Sequence, residues 1–175
     1  MDANQMPVEH VRFGILTELV GFHIRRAANV VMLDYKETFA DTGIRPILLA
    51  ILSIVDANPG IYQGRVGEAL GIRRPNMAAL ATELEERGLI RRKVPATNRR
   101  ALCLTLSDKG RKILAACLQK ARAHERRVLS GFTNDERAIL TALLARITTK
   151  DRSRKNFESA DQSRPALARS AAAGR

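Results

Sequence analysis

GIRRPNMAALATELEERGLIRRKVPATNRRALCLTLSDKG, residues 71–110, is the stretch on which the fold turns. Gly71 breaks the chain, and Arg73 to Arg87 then reads as a helix with Pro75 near its first turn, where a missing N–H does no harm. Met77, Leu80, Ala81 and Leu84 recur at three- and four-residue steps and form its buried stripe. Arg73, Arg74, Asn76, Ala78, Ala79 and Thr82 fall on the other face. Gly88 stands where a glycine ends a helix in the left-handed conformation. Leu89–Val94 and Ala101–Leu106 read as short strands; in the second, Leu102, Leu104 and Leu106 alternate with Ala101, Cys103 and Thr105. The connection Pro95-Ala96-Thr97-Asn98-Arg99-Arg100 has turn formers followed by charge, so the pair is expected to form a hairpin.

Helical periodicity dominates on both sides. Upstream, Tyr62–Leu70 is a short helix closed by Gly71, and Ile44–Ala57 is a strongly apolar helix that Asn58-Pro59-Gly60 ends. Ile15 to about Phe39 reads as one long helix. Downstream, Ser107 caps a helix over Asp108–Leu129. Thr133 and Glu136 have the spacing of a capping box, in which each side chain satisfies the other's backbone N–H. Ile139, Leu140, Leu143, Leu144 and Ile147 give that last helix an apolar face. The expected class is mainly α with a small β-hairpin wing. Residues 1–14 are expected to be flexible, 15–149 to form a single domain, and 150–175, polar and Arg/Ser/Ala-rich, to be a disordered basic tail.

Charge separates the regions. The 175 residues carry 30 Lys plus Arg against 18 Asp plus Glu, a net +12. Residues 1–60 hold five basic and seven acidic side chains, whereas 61–112 hold twelve and five. Residues 113–149 add a net +3 and the last 26 a net +4, so the largest share, +7, falls on 61–112 around the stretch quoted above, as a polyanion-facing region would have it. The seven aromatic residues are few for a binder of single strands, which stacks bases on rings, and duplex DNA is favoured. A short helix followed by one with a free polar face is the arrangement of a helix-turn-helix. Arg73 and Arg74 suit guanine, Asn76 suits adenine, and Ala78, Ala79 and Thr82 suit thymine methyls. Arg91, Arg92 and Lys93 are expected on the phosphate backbone. Asn98, Arg99 and Arg100, at the hairpin tip, suit the narrow minor groove. Glu83, Glu85 and Glu86 lie at the far end of the helix, away from an inserted N-terminus.

Other classes find little support. No Gly-rich phosphate loop, HExxH, GxSxG or paired catalytic carboxylates mark an enzyme. No cofactor motif is present. His10, His23 and His124 are too scattered for zinc, and His124 is expected at the surface. Cys103 and Cys117 read as small buried hydrophobes, too few for a disulfide scaffold. The longest apolar run, Ile47–Val55, is far short of a membrane span, and MDANQMPVEH lacks a signal pattern, so a cytoplasmic protein with no membrane partner is expected. The remaining alternative to a sequence-specific regulator is a non-specific architectural DNA-binding protein.

The quoted run resembles the winged helix of the MarR family of bacterial transcriptional regulators, and the likeness extends over roughly residues 15–149. It implies a winged helix-turn-helix over about 44–106 and dimerisation helices over about 15–39 and 108–149. It implies a homodimer on a pseudo-palindromic operator with half-sites about 10 bp apart. The family's wing usually carries Asp-x-Arg; here Arg100 matches the arginine and Asn98 replaces the carboxylate that steadies it. The resemblance further implies a repressor that a small anionic ligand, an aromatic acid or an acyl-CoA, releases from DNA. His23, Arg25, Arg26 and Asn29, clustered on an otherwise apolar helix, are the candidate anion clamp; the alternative is that the arginines are solvated or pair with Asp34.

Overall fold

The computed structural model describes residues 11–94 and 101–162, with side chains as far as Thr148. They fall into two compact units divided after Val128. The first contains a 3-10 turn, Gly14–Glu18, then helices α1 (Val20–Thr38) and α2 (Pro46–Ala57), strand β1 (Ile61–Tyr62), helices α3 (Gln63–Leu70) and α4 (Arg74–Glu86), strands β2 (Ile90–Lys93) and β3 (Cys103–Leu106), and α5 (Asp108–Val128). The second contains α6, Asn134–Gln162. The class is the one expected: mostly helical with a small antiparallel sheet.

The core is built around α2. Leu48, Ile51, Leu52 and Val55 are fully buried. They share one cluster with Val66 of α3, Met77, Ala81 and Leu84 of α4, Leu104 of β3 and Leu114 of α5. A helix apolar on nearly every side has to be central, because water can solvate none of its faces well. Pro46 occupies its first turn, as expected. The stripe predicted on α4 faces this core, with Leu80 packed at its margin.

Two glycines turn the chain at the ends of α3 and α4. Gly71 and Gly88 have φ of +66° and +69°, a region that a Cβ disfavours. The N–H of Ile72 donates to the Gly67 carbonyl at 2.8 Å, and that of Leu89 to the Leu84 carbonyl at 2.9 Å, satisfying the last carbonyls of each helix. Ser107 caps α5 through its Oγ, which accepts the Gly110 N–H at 2.9 Å. The same hydroxyl donates to the Gly88 carbonyl at 2.6 Å, so one side chain joins the start of α5 to the end of α4.

The sheet is larger than the predicted hairpin. β3 lies in the middle, with β2 on one side (Ile90 opposite Leu106, Arg92 opposite Leu104) and β1 on the other (Ile61 opposite Leu104). Two residues are too few to show alternation, and Tyr62 reads instead as the start of the helix it precedes. The first predicted helix is also divided. Thr17 donates its hydroxyl to the Gly14 carbonyl at 2.9 Å, and the His23 ring hydrogen-bonds the Thr17 carbonyl at 2.8 Å. These local bonds compete with the helical ladder, Leu19 is extended, and α1 starts at Val20.

Ion pairs join α5 to α1 and to the turn that follows it. Arg127 forks onto Asp34, with Nε 2.9 Å from Oδ2. This holds the Asp34 carboxyl down to about 2. Lys120 reaches Asp41 at 2.6 Å. The suggested pairing of Arg25 or Arg26 with Asp34 is thus replaced by one with Arg127. His124 corrects the surface expectation: it is buried, edge-on to Tyr35 with centroids 5.7 Å apart, and its Nδ1 lies 3.4 Å from Asp34. Its neighbours in sequence are polar, but its position on α5 faces α1. Cys117 is buried as expected, and burial pushes its thiol up. Cys103 is only half-buried, since it stands on the outer face of a small sheet.

In the second unit the capping box forms: the Thr133 N–H donates to Glu136 Oε2 at 2.8 Å, and the Glu136 N–H to Thr133 Oγ1 at 3.3 Å. α6 runs on to Gln162, beyond the Ile147 at which its apolar pattern stops. Polar residues after Ile147 carry no periodicity, yet none of them is a helix breaker. Among the described residues no helix is long and apolar enough to cross a membrane, and no three metal-ligating side chains cluster.

Candidate nucleic-acid interface

The turn at Gly71 sets α3 and α4 as a helix-turn-helix, and burial of Met77, Ala81 and Leu84 decides which side of α4 meets solvent. Arg73, Arg74, Asn76 and Ala79 are exposed, and Ala78 and Thr82 are half-buried. Among the described residues, the side chains of Arg73, Arg74 and Asn76 have no ion pair. No side chain caps the start of α4, which leaves its first N–H groups to an anion. One end of the helix is therefore cationic, polar and open.

Two of the three acids at its other end are paired within the fold, and Glu86 is exposed. Glu83 pairs with Arg45, the residue before α2, and lies 3.8 Å from Arg87. Arg87 in turn donates to the carbonyls of Gly43, at 3.0 Å, and Thr42, at 3.2 Å. Glu85 takes the Arg92 Nε at 2.6 Å and the Arg92 backbone N–H at 3.3 Å, and Arg92 Nη1 reaches Thr82 Oγ1 at 3.2 Å. The guanidinium beside it holds the Glu85 carboxyl below the usual range. The negative charge of Glu83 and Glu85, which would repel a phosphate backbone, is thereby matched locally.

The expected contact residues thus sort into three groups. Arg73, Arg74, Asn76 and Ala79 are each exposed at the start and first turns of α4, and Arg91 and Lys93 are exposed on β2. Arg92 and Thr82 are bonded to each other and, through Arg92, to Glu85. Asn98, Arg99 and Arg100 lie outside the described residues.

The candidate ligand residues are less united. His23 is bonded to the Thr17 carbonyl, and the Arg26 guanidinium lies over the rings of Phe13 and Phe22, 4.6 and 5.6 Å from their centroids. Arg25 is exposed. Only Asn29 of the four lines the cavity of about 650 Å³ between α1 and α2. Its walls include Met32, Leu33, Phe39 and Ile44; Lys36 adds positive charge, and Arg45, also on the wall, is the one paired with Glu83. Sequence reasoning missed both. Lys36 stands four residues from Met32 and three from Phe39, a spacing that could have placed it beside them.

The comparisons agree with this geometry. Residues 42–101 match the family model described as MarR family. Over 150 residues the chain is 31% identical to a protein assigned as the transcriptional regulator of the hcr operon in Thauera aromatica, covering 85% of this chain and 90% of that one. The structure of the transcriptional repressor CouR bound to a 23-mer DNA duplex matches with a TM-score of 0.75 and 37% identity, over 79% of this chain and 98% of that one. CouR bound to p-coumaroyl-CoA matches with a TM-score of 0.70 and 35% identity, over 79% and 97%.

Proposed function

The chain belongs to the MarR family of winged-helix transcriptional regulators, and from that premise we propose that it is a homodimeric repressor that binds one duplex operator specifically and is released by a small anionic ligand. The observation that carries the DNA reading is the open cationic end of α4, where Arg73, Arg74 and Asn76 are each exposed. Arg73 and Arg74 meet guanine or phosphate, Asn76 reads adenine, and Ala78, Ala79 and Thr82 meet thymine methyls. Arg91 and Lys93 take the phosphate backbone, while Asn98, Arg99 and Arg100 serve the minor groove. The DNA-bound state of a relative 37% identical supports the same use here.

Dimerisation is supported by apolar surface exposed on each unit. Leu16, Leu19, Val20 and Val30 are exposed in the first, and Ile139, Leu143, Leu144 and Ile147 in the second. Such surface on a monomer marks an interface. The ligand is an aromatic acid or an acyl-CoA, read from the apolar cavity with Lys36 and Arg45 on its wall and from the p-coumaroyl-CoA bound to a relative. Arg25, Arg26, His23 and Asn29 remain the proposed outer clamp.

The test begins with a random-sequence duplex library, from which the wild-type protein should select one pseudo-palindrome. Adding p-coumaroyl-CoA or free p-coumarate should then release that duplex. Selection of a site with no release by either compound would remove the ligand class and leave the DNA reading; no selected site would remove the specific regulator itself.

A further inference from the structure

Among the basic residues of β2, Arg91 and Lys93 are exposed and Arg92 is half-buried. The register puts Arg92 opposite Leu104, and β2 is the edge of the sheet. Its backbone N–H points away from the ladder and is taken by Glu85 Oε1 at 3.3 Å, while Nε donates to Glu85 Oε2 at 2.6 Å. Nη2 also meets Oε2, and Nη1 reaches the Thr82 hydroxyl oxygen at 3.2 Å. The Arg92 side chain is 22% exposed. Isolated surface ion pairs contribute little to stability. In this one Nε and Nη2 converge on one carboxylate oxygen while the backbone N–H takes the other and Nη1 takes a hydroxyl, which fixes orientation as well as charge.

The two elements it joins have different tasks. α4 presents the base-reading side chains, and β2 leads into the segment carrying Arg99 and Arg100. Both can engage one duplex only if their mutual angle fits it. We propose that Glu85 is a positioning residue for DNA reading: by clamping Arg92 it sets the angle between α4 and β2 and keeps that arginine off phosphate. This rests on the duplex-reading function proposed above. It assigns an acidic residue on a DNA-binding helix a role that strengthens specific binding, and it moves Arg92 from the phosphate contacts to the frame.

Simple electrostatics and the clamp predict opposite signs. Removing a negative charge near DNA should tighten all binding. Under the clamp, Glu85→Gln frees Arg92 for phosphate and loosens the angle. Affinity for the duplex selected by the wild type then falls about tenfold, the scale of a lost charge-assisted bond. Affinity for scrambled duplex rises, and the salt slope steepens by about one contact. Arg92→Gln should lose the same specific affinity without flattening the salt slope, and the two changes should be far from additive. Arg92→Lys keeps the charge without the guanidinium and should behave like Arg92→Gln at the selected site; it also serves if Glu85→Gln does not fold, which circular dichroism establishes. Two results overturn the clamp. One is Glu85→Gln tightening selected and scrambled duplex alike. The other is Arg92→Gln flattening the slope by about one, as a phosphate contact does. Failure of the wild type to select any duplex overturns the DNA reading, and the clamp's role with it.

Discussion

Gly110 has no room for a methyl group. A Cβ there would stand 2.0 Å from the Leu89 carbonyl oxygen and 2.9 Å from its carbon. The obstruction is backbone, which cannot swing aside as a side chain would. Gly110→Ala must therefore shift the start of α5 off the corner that Ser107 fastens, at a cost of about 1–3 kcal/mol or more. Urea denaturation should show the loss as a lower midpoint with an unchanged slope. Asp34 gives a pH-dependent prediction. Its folded pKa of about 2 is below the ordinary 3.8, chiefly through the Arg127 bond. The stability it contributes is complete above about pH 4 and is lost as pH falls through about 2. Asp34→Asn should thus melt below the wild type at pH 7, and the gap should close toward pH 2; a gap constant with pH would contradict the pairing. Neither residue announces itself in the sequence. Gly110 lies in a helix where any small residue would read alike, and Asp34 and Arg127 are 93 positions apart.

Elements were more legible than contacts. The α4 stripe, the glycine stops, the Ser107 cap and the Thr133–Glu136 box follow from local chemistry, and each stands where the residues place it. The two-residue β1 and the break at Leu19 do not, because a partner strand and two side-chain bonds to carbonyls decide them. Likewise the exposed face of α4 was readable from its period, whereas the diversion of Thr82 and Arg92 depended on where β2 folds back. At this scale, base preference is the property to measure. Asn76→Ala should relax the preferred sequence at one position per half-site, by about 1–3 kcal/mol of discrimination. Arg100→Ala should weaken binding most where A/T-rich flanks narrow the minor groove. Repeating the library selection with each variant checks both; an unchanged preferred site removes Asn76 from the reading surface.

For the whole molecule the decisive features are charge placement and exposed apolar surface. Of the net +12, +7 falls on residues 61–112 while the first 60 residues are slightly acidic, which draws that region toward a polyanion. The exposed leucines of α6 point to a partner of the same kind. Leu143→Glu with Leu144→Glu should shift the protein from dimer to monomer in sedimentation. It should also cost more than tenfold in affinity for a two-half-site duplex, because two linked heads bind as one event. The central claim remains sequence-specific reading of duplex DNA, and its most direct test is competition at moderate ionic strength. The wild-type protein should hold its selected duplex about 10³-fold or more tightly than a scrambled duplex of equal length; equal affinity for the two, falling together as salt rises, would contradict it.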